Sequence, residues 1–172
     1  MPSRTSSSNS AAEVLVIFQE ASHSLTRCLD DAFARVGIPH NQFQVLVALR
    51  HNPGIVTPMS IANWLDRNPN TITLIIDRME RDGLVQRVSD LKDRRAIRLA
   101  ITPKGEEIYR KAMKPAIRLP QEILSILSKE ELSTFARLLI NIREKTYDYR
   151  GIKDKVTERS FRNIEQEEQD MK

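Results

Sequence analysis

The chain has 172 residues, 40% hydrophobic and 29% charged, with a net charge of +4; this is the profile of a globular chain with a substantial core. No run of about 18 apolar residues exists to make a membrane-spanning helix. The Ser-rich start, MPSRTSSSNSAA, lacks the apolar segment of a signal peptide, so a cytoplasmic location without a membrane partner is expected.

Residues 1–12 read as a flexible segment. An amphipathic helix over 13–36 follows, with Val14, Phe18, Ala21, Leu25, Cys28, Leu29, Ala32 and Val36 at three- and four-residue steps and Gly37 as its stop. A second helix is expected from about Pro39 to His51, ended by Asn52-Pro53-Gly54. Thr57-Pro58 is a cap followed by a first-turn proline and opens a short third helix to Asp66. Asn68-Pro69 repeats that signal and opens a fourth, with Ile72, Ile75, Ile76 and Met79 on its apolar face and Gly83 at its end.

The period then changes. Leu84–Val88 is strand-like, Ser89–Arg94 is turn-like, and Ala96–Ile101 alternates, with Ile97, Leu99 and Ile101 on one face. Thr102-Pro103 is a third cap-plus-Pro start, for a helix to about Ile117 with a bend expected at Pro115 or Pro120. Ser128-Lys129-Glu130-Glu131 is a capping box opening a last helix with Leu132, Phe135, Leu138, Leu139 and Ile142 apolar. Residues 151–172 are charge-rich, five basic against six acidic, and are either helical or disordered.

Two short helices joined by a tight turn and followed by a basic hairpin make a winged helix-turn-helix. The fold class is therefore mostly α with a small β-hairpin wing, and helices from both termini form a dimerisation region. The division expected is 39–105 for the winged unit, 13–38 and 106–150 for dimerisation, and 151–172 for a charged tail. Between Val85 and Lys104 stand Arg87, Lys92, Arg94, Arg95, Arg98 and Lys104 against Asp90 and Asp93, a surplus equal to the net charge of the whole chain. Concentrated positive charge suits a polyanion, here double-stranded DNA.

The fourth helix can enter the major groove, offering Asn68, Asn70, Thr71, Thr73, Leu74, Asp77, Arg78 and Arg81 on the face away from the core. Thr57 and Ser60 of the preceding helix and Lys92, Arg94, Arg95 and Arg98 of the wing complete the expected DNA-binding set. An arginine at the wing tip can enter a narrow minor groove, and Asp93 holds Arg95 in a fixed geometry. The long apolar terminal helices suggest a two-fold dimer on a pseudo-palindromic site. His23, Arg27, His40 and Trp64 are candidate walls of a pocket for a small phenolic or aromatic-acid effector.

Nothing points to an enzyme. There is no nucleophile–base pair or phosphate-binding glycine loop, and the chain has five glycines. The single cysteine, Cys28, excludes an intrachain disulfide and a cysteine-only metal cluster, and the three histidines lack ligand spacing, so neither metal nor cofactor is expected. Cys28 lies on the apolar stripe and is expected to be buried. The alternatives are an oxidant-responsive DNA-binding regulator and a winged-helix protein-interaction module.

Several segments resemble the MarR (multiple antibiotic resistance regulator) family. They are Asn41–Leu46, Ile61–Leu65, Thr71-Ile72-Thr73, Ile76–Val85, Asp93-Arg94-Arg95 and Leu99–Gly105, within a resemblance that spans roughly 13–150. The resemblance implies a triangular helical homodimer joined through its terminal helices, transcriptional repression, Asp93 and Arg95 as the wing pair, and release from DNA by an aromatic ligand. Two departures stand out. Members often carry a basic residue where this chain has Leu74, and the cysteine of oxidant-sensing members would align near Val16, about three turns from Cys28.

Overall fold

Each cap signal in the sequence starts a helix. The computed structural model describes residues 10–51, 56–89 and 97–152, with the side chains of 89 and 97 excepted. Its elements are α1 (Ala11–Ala34), α2 (His40–His51), α3 (Pro58–Trp64), α4 (Pro69–Arg81), β1 (Val85–Ser89), β2 (Ile97–Ile101), α5 (Pro103–Leu124) and α6 (Lys129–Tyr149). Thr57, Asn68, Thr102 and Ser128 are the N-caps of α3, α4, α5 and α6, and each side chain accepts a hydrogen bond from a first-turn amide. Such a cap contributes about 1 kcal/mol to its helix. The α1 helix starts slightly earlier than expected, because Ser10 and Glu13 form a further capping box.

The core lies under the winged unit. Ile72, Ile75, Ile76 and Met79 of α4 are buried there with Leu46 of α2, Ile61 of α3, Leu84, Val85 of β1 and Leu99 of β2. Phe33 at the end of α1 packs against Phe43 of α2 with the rings tilted (centroids 4.7 Å apart), and Phe43 stacks on Tyr109 of α5 (5.7 Å). These aromatic contacts connect the winged unit to the two long helices. Arg50 reinforces the α2–α5 seam, pairing with both carboxylate oxygens of Glu106 at 2.9 and 3.1 Å.

The strands pair antiparallel, from Val85 opposite Ile101 to Ser89 opposite Ile97. The Leu99 amide also donates to the Val56 carbonyl (2.9 Å), which ties the segment before α3 to the wing.

Two expectations change. The α5 helix does not stop near Ile117 but runs on through Pro115 and Pro120 to Leu124. Each proline removes one amide donor, but Tyr109, Ala112, Met113 and Ile117 bury one face of the helix, and tertiary packing outweighs local propensity. Cys28 is exposed rather than buried. Among the described residues, the apolar stripe of α1 meets the core near its C-terminal end, where Phe33 is buried and Leu29 and Val36 pack against the core.

One junction aligns the elements. Gly83 takes φ +71 after α4, and the Leu84 amide donates back to the Met79 carbonyl (2.8 Å). The Thr102 hydroxyl donates to the Gly83 carbonyl (2.6 Å), and the Thr102 amide donates to the Leu84 carbonyl (3.1 Å). Gly105 then passes so close that a Cβ there would lie 2.1 Å from the Leu84 oxygen. Gly105→Ala is therefore expected to destabilise the fold by about 2 kcal/mol or more, lowering Tm by about 5 °C or more. Calorimetry checks this, and an unchanged Tm would mean that α5 can withdraw from the hairpin without loss.

Candidate nucleic-acid interface

The α4 helix has two faces. Its apolar positions are buried, and Asn70, Thr71, Thr73, Leu74, Arg78 and Arg81 are exposed on the opposite side. Its N-terminus carries free amide character, and Pro69 at the first position lacks an amide that would otherwise need a partner. Asn68 Oδ1 accepts from the Asn70 amide at 2.9 Å, which leaves the side-chain NH2 to face outward interactions. The Thr73 hydroxyl donates to the Pro69 carbonyl (3.0 Å), so its proton is engaged within the helix. Leu74 is 60% exposed and is bordered a turn away by Asn70, Thr71 and Arg78.

Thr57 and Ser60 form a reciprocal capping box. Ser60 N donates to Thr57 Oγ1 (3.1 Å), and Thr57 N donates to Ser60 Oγ (2.9 Å). Both hydroxyls are thereby engaged at the start of α3, with half-buried side chains. Arg98 lies on β2 opposite Val88 and is half-buried. Lys92, Asp93, Arg94 and Arg95, the expected wing tip, lie outside the described residues.

The structure adds a cluster that spacing alone does not reveal. Arg87 of β1 reaches across to α4, pairing with Asp77 Oδ1 (2.5 Å) and with Glu80 Oε2, while its amide donates to Glu80 Oε1 (3.1 Å). The Asp77 hydrogen bond is the main cause that raises the Arg87 pKa above its ordinary value, with Glu80 adding to it against the effect of burial. The cluster orients α4 against the wing and neutralises two acids on the helix facing away from the core. It also changes the charge reading. Arg87, and Lys104 whose ammonium donates to the Asp82 carbonyl (2.6 Å), have partners within the chain. The sequence showed an arginine and two acids, but their convergence depends on the turn at Gly83.

The four candidate effector residues are dispersed. His23 and Arg27 lie on one open face of α1 with Gln19, Glu20, Ser24, Cys28 and Asp31; His40 and Trp64 are not part of it. Trp64 is half-buried and packs against the core. His40 stacks on Phe33 (5.1 Å) and has Asp30 4.0 Å away. Burial lowers its pKa; the attraction of Asp30, at the limit of ion-pair distance, does not offset that burial, and Arg67 adds to the lowering. Among the described residues no group of three or more His, Cys, Asp or Glu side chains could hold a metal ion, and no helix is long and apolar enough to cross a membrane.

The chain is similar to known proteins in sequence and in fold. The MarR family model matches residues 38–97. The HTH-type transcriptional regulator PecS of Dickeya dadantii is 30% identical over 123 residues, 70% of this chain and 74% of that protein. The multiple antibiotic resistance protein MarR of Salmonella typhimurium is 28% identical over 117 residues, 67% of this chain and 81% of that protein. Two solved structures share the fold. An organohalide-sensing transcriptional regulator in its 2,4-dichlorophenol-bound form has TM-score 0.73 at 21% identity, with 83% of this chain and 87% of that one covered. A mutant E. coli MarR complexed with operator DNA has TM-score 0.68 at 24% identity, with 73% and 90% covered.

The Arg87 cluster makes a test. Arg87→Ala is expected to leave Asp77 and Glu80 uncompensated, weakening duplex DNA binding about tenfold at low salt, within the range for a hydrogen bond to a charged group. The deficit shrinks as salt screens the two acids. Fluorescence anisotropy across a salt series checks it, and equal affinity at every salt would reject the neutralising role.

Proposed function

The chain belongs to the MarR family of DNA-binding transcriptional regulators, and we propose that it is a repressor that binds a pseudo-palindromic operator as a homodimer. The observation that carries the DNA-reading part is the two-faced α4: four buried apolar side chains under an exposed surface of Asn70, Thr71, Thr73, Leu74, Arg78 and Arg81. That surface suits the major groove, which accepts one α-helix. In this reading Asn68, Asn70, Thr71 and Thr73 meet base edges and nearby phosphates, and Arg78 and Arg81 meet the backbone. Thr57 and Ser60 fix the supporting helix, and Lys92, Arg94, Arg95 and Arg98 belong to a wing on the adjacent minor groove, with Asp93 setting Arg95.

The dimer reading is supported by uncovered apolar surface. The α6 helix has no buried residue, and Leu132, Phe135, Leu138, Ile140 and Ile142 are all exposed. In α1, the consecutive residues Val14, Leu15, Val16, Ile17 and Phe18 are exposed in the single chain. Five consecutive apolar residues surround the first turns of α1, and α6 carries a further uncovered set of apolar side chains; both call for burial, and a second copy wrapping the terminal helices supplies it. The regions 13–38 and 106–150 are the dimerisation part of this reading, with 39–105 reading DNA. Two-fold symmetry then sets two recognition helices about one DNA turn, roughly 34 Å, apart. The α1 face bearing His23 and Arg27 is the candidate effector site, and the dichlorophenol-bound neighbour supports a phenol-class compound as the probe.

Selection from a randomised duplex pool tests the reading. Paired inverted half-sites with centres about 10 base pairs apart are expected, with log K falling steeply against log salt because phosphate contacts release counterions. Absence of enriched paired half-sites would reject it, and capture of proteins with no duplex affinity would favour the interaction-module alternative. Within the selected site, Leu74 is expected to lie on a thymine methyl, the apolar feature of the major groove. Replacing that thymine by deoxyuridine should weaken wild-type binding about fourfold, the equivalent of about 0.8 kcal/mol for one methyl group. Leu74→Ala should bind both duplexes alike. Equal wild-type affinity for every singly substituted duplex would remove Leu74 from base reading.

A further inference from the structure

Four helices of the described structure end in the same way. After α1, α4 and α6 the left-handed position is held by Gly37, Gly83 and Gly151, at φ +83, +71 and +69. At each of these ends two amides donate back: Ile38 to Phe33 and Gly37 to Ala34, Leu84 to Met79 and Gly83 to Glu80, Ile152 to Tyr147 and Gly151 to Asp148. The turn between α3 and α4 repeats the pattern, with Arg67 N donating to the Ala62 carbonyl (2.9 Å) and Asp66 N to the Asn63 carbonyl (3.3 Å). Here the left-handed residue is Asp66, at φ +48, the one non-glycine residue with positive φ among those described.

Glycine is the residue best suited to this conformation, and any Cβ there is unfavourable. What the aspartate provides is a carboxylate. It meets the guanidinium of Arg150 in a two-pronged pair, Nη1 to Oδ2 at 2.7 Å and Nη2 to Oδ1 at 3.1 Å. The pairing holds Arg150 charged, raising its pKa above its ordinary value. Both side chains are about half-exposed, and exposed ion pairs add little stability. Two parallel hydrogen bonds from a planar guanidinium do, however, fix direction as well as distance. Arg150 is the C-cap of α6, the helix with no buried side chain, and Asp66 sits two residues before the N-cap of the recognition helix.

We propose that Asp66 and Arg150 are positioning residues that set the angle of the recognition helix against α6, and through an α6-mediated dimer set the spacing of the two DNA half-sites. The proposal rests on the dimeric DNA-binding reading above. A strained residue carrying a bidentate contact between sequence-distant elements is a feature that function explains and stability does not. Because α6 would belong to the dimer interface, a small rotation at the α3–α4 turn would displace both reading heads symmetrically.

The test uses the full-length chain as wild type, Asp66→Gly, Asp66→Asn and Arg150→Gln, each selecting from one randomised 40-base-pair duplex pool. Wild type is expected to enrich a single half-site spacing. The three variants should broaden it by one base pair either way and bind the wild-type consensus about five- to tenfold more weakly. Asp66→Gly relieves the backbone but adds freedom to the unfolded chain, so its Tm should stay within about 3 °C of wild type. The double variant Asp66→Asn/Arg150→Gln should bind no more weakly than either single change, as expected for partners in one interaction. Variants that keep one spacing and wild-type affinity would overturn the clamp while leaving the dimeric reading standing. A wild type that enriches no paired half-sites would overturn both.

Discussion

The close passage of α5 over the Leu84 carbonyl is the constraint on which the rest of the structure depends. A side chain at Gly105 would occupy the position of that oxygen. With hydrogen there, Thr102 can bond to both Gly83 and Leu84, and three elements meet within a few residues: the end of α4, the β hairpin and the long α5. Glycine at 83 turns the chain from helix to strand, and glycine at 105 lets the next helix lie against that turn. The orientation of α4 relative to α5 follows from this junction, and so does the arrival of Arg87 beside Asp77 and Glu80.

That arrival has an electrostatic consequence. Two uncompensated acids near the exposed face of α4 would repel a polyanion. The structure places the β1 guanidinium of Arg87 against both, so Asp77 and Glu80 are paired beside the exposed cations Arg78 and Arg81. One arginine thus serves packing and charge together. It also shows why counting charges along a segment is an incomplete guide: Arg87 and Lys104 add to a basic stretch in sequence yet have intrachain partners in space.

The remaining surface is divided by chemistry. Among its described residues the winged unit buries most of its apolar side chains within one chain, Met59, Leu74 and Val88 excepted, and its caps engage Thr57, Ser60, Asn68 and Thr102. The terminal helices do not: α6 buries none of its residues and α1 only Phe33. The proposed association through the terminal helices rests on this difference in burial. The exposure of Cys28 belongs to the same pattern, since it lies along the uncovered length of α1 rather than at the end that packs.

The sequence by itself determined the elements and their order. Local chemistry is sufficient for that: a hydroxyl or amide side chain before proline starts a helix, glycine ends it, and the change from helical to alternating period marks the wing. The exposed face of α4 was legible for the same reason, because the positions of Ile72, Ile75, Ile76 and Met79 dictate which residues remain outside. Tertiary structure decided everything that depends on convergence. The passage of α5 through Pro115 and Pro120 follows from packing that outweighs a local helix-breaking tendency. The Arg87 cluster and the Asp66–Arg150 pair join residues 7, 10 and 84 positions apart, with directions set by how the helices lie. The burial expected of Cys28 failed because periodicity reveals that a face is apolar but not what covers it. An amphipathic pattern is a property of one helix, whereas burial is a relation between two surfaces, and for α1 and α6 the second surface is not in the chain's own core.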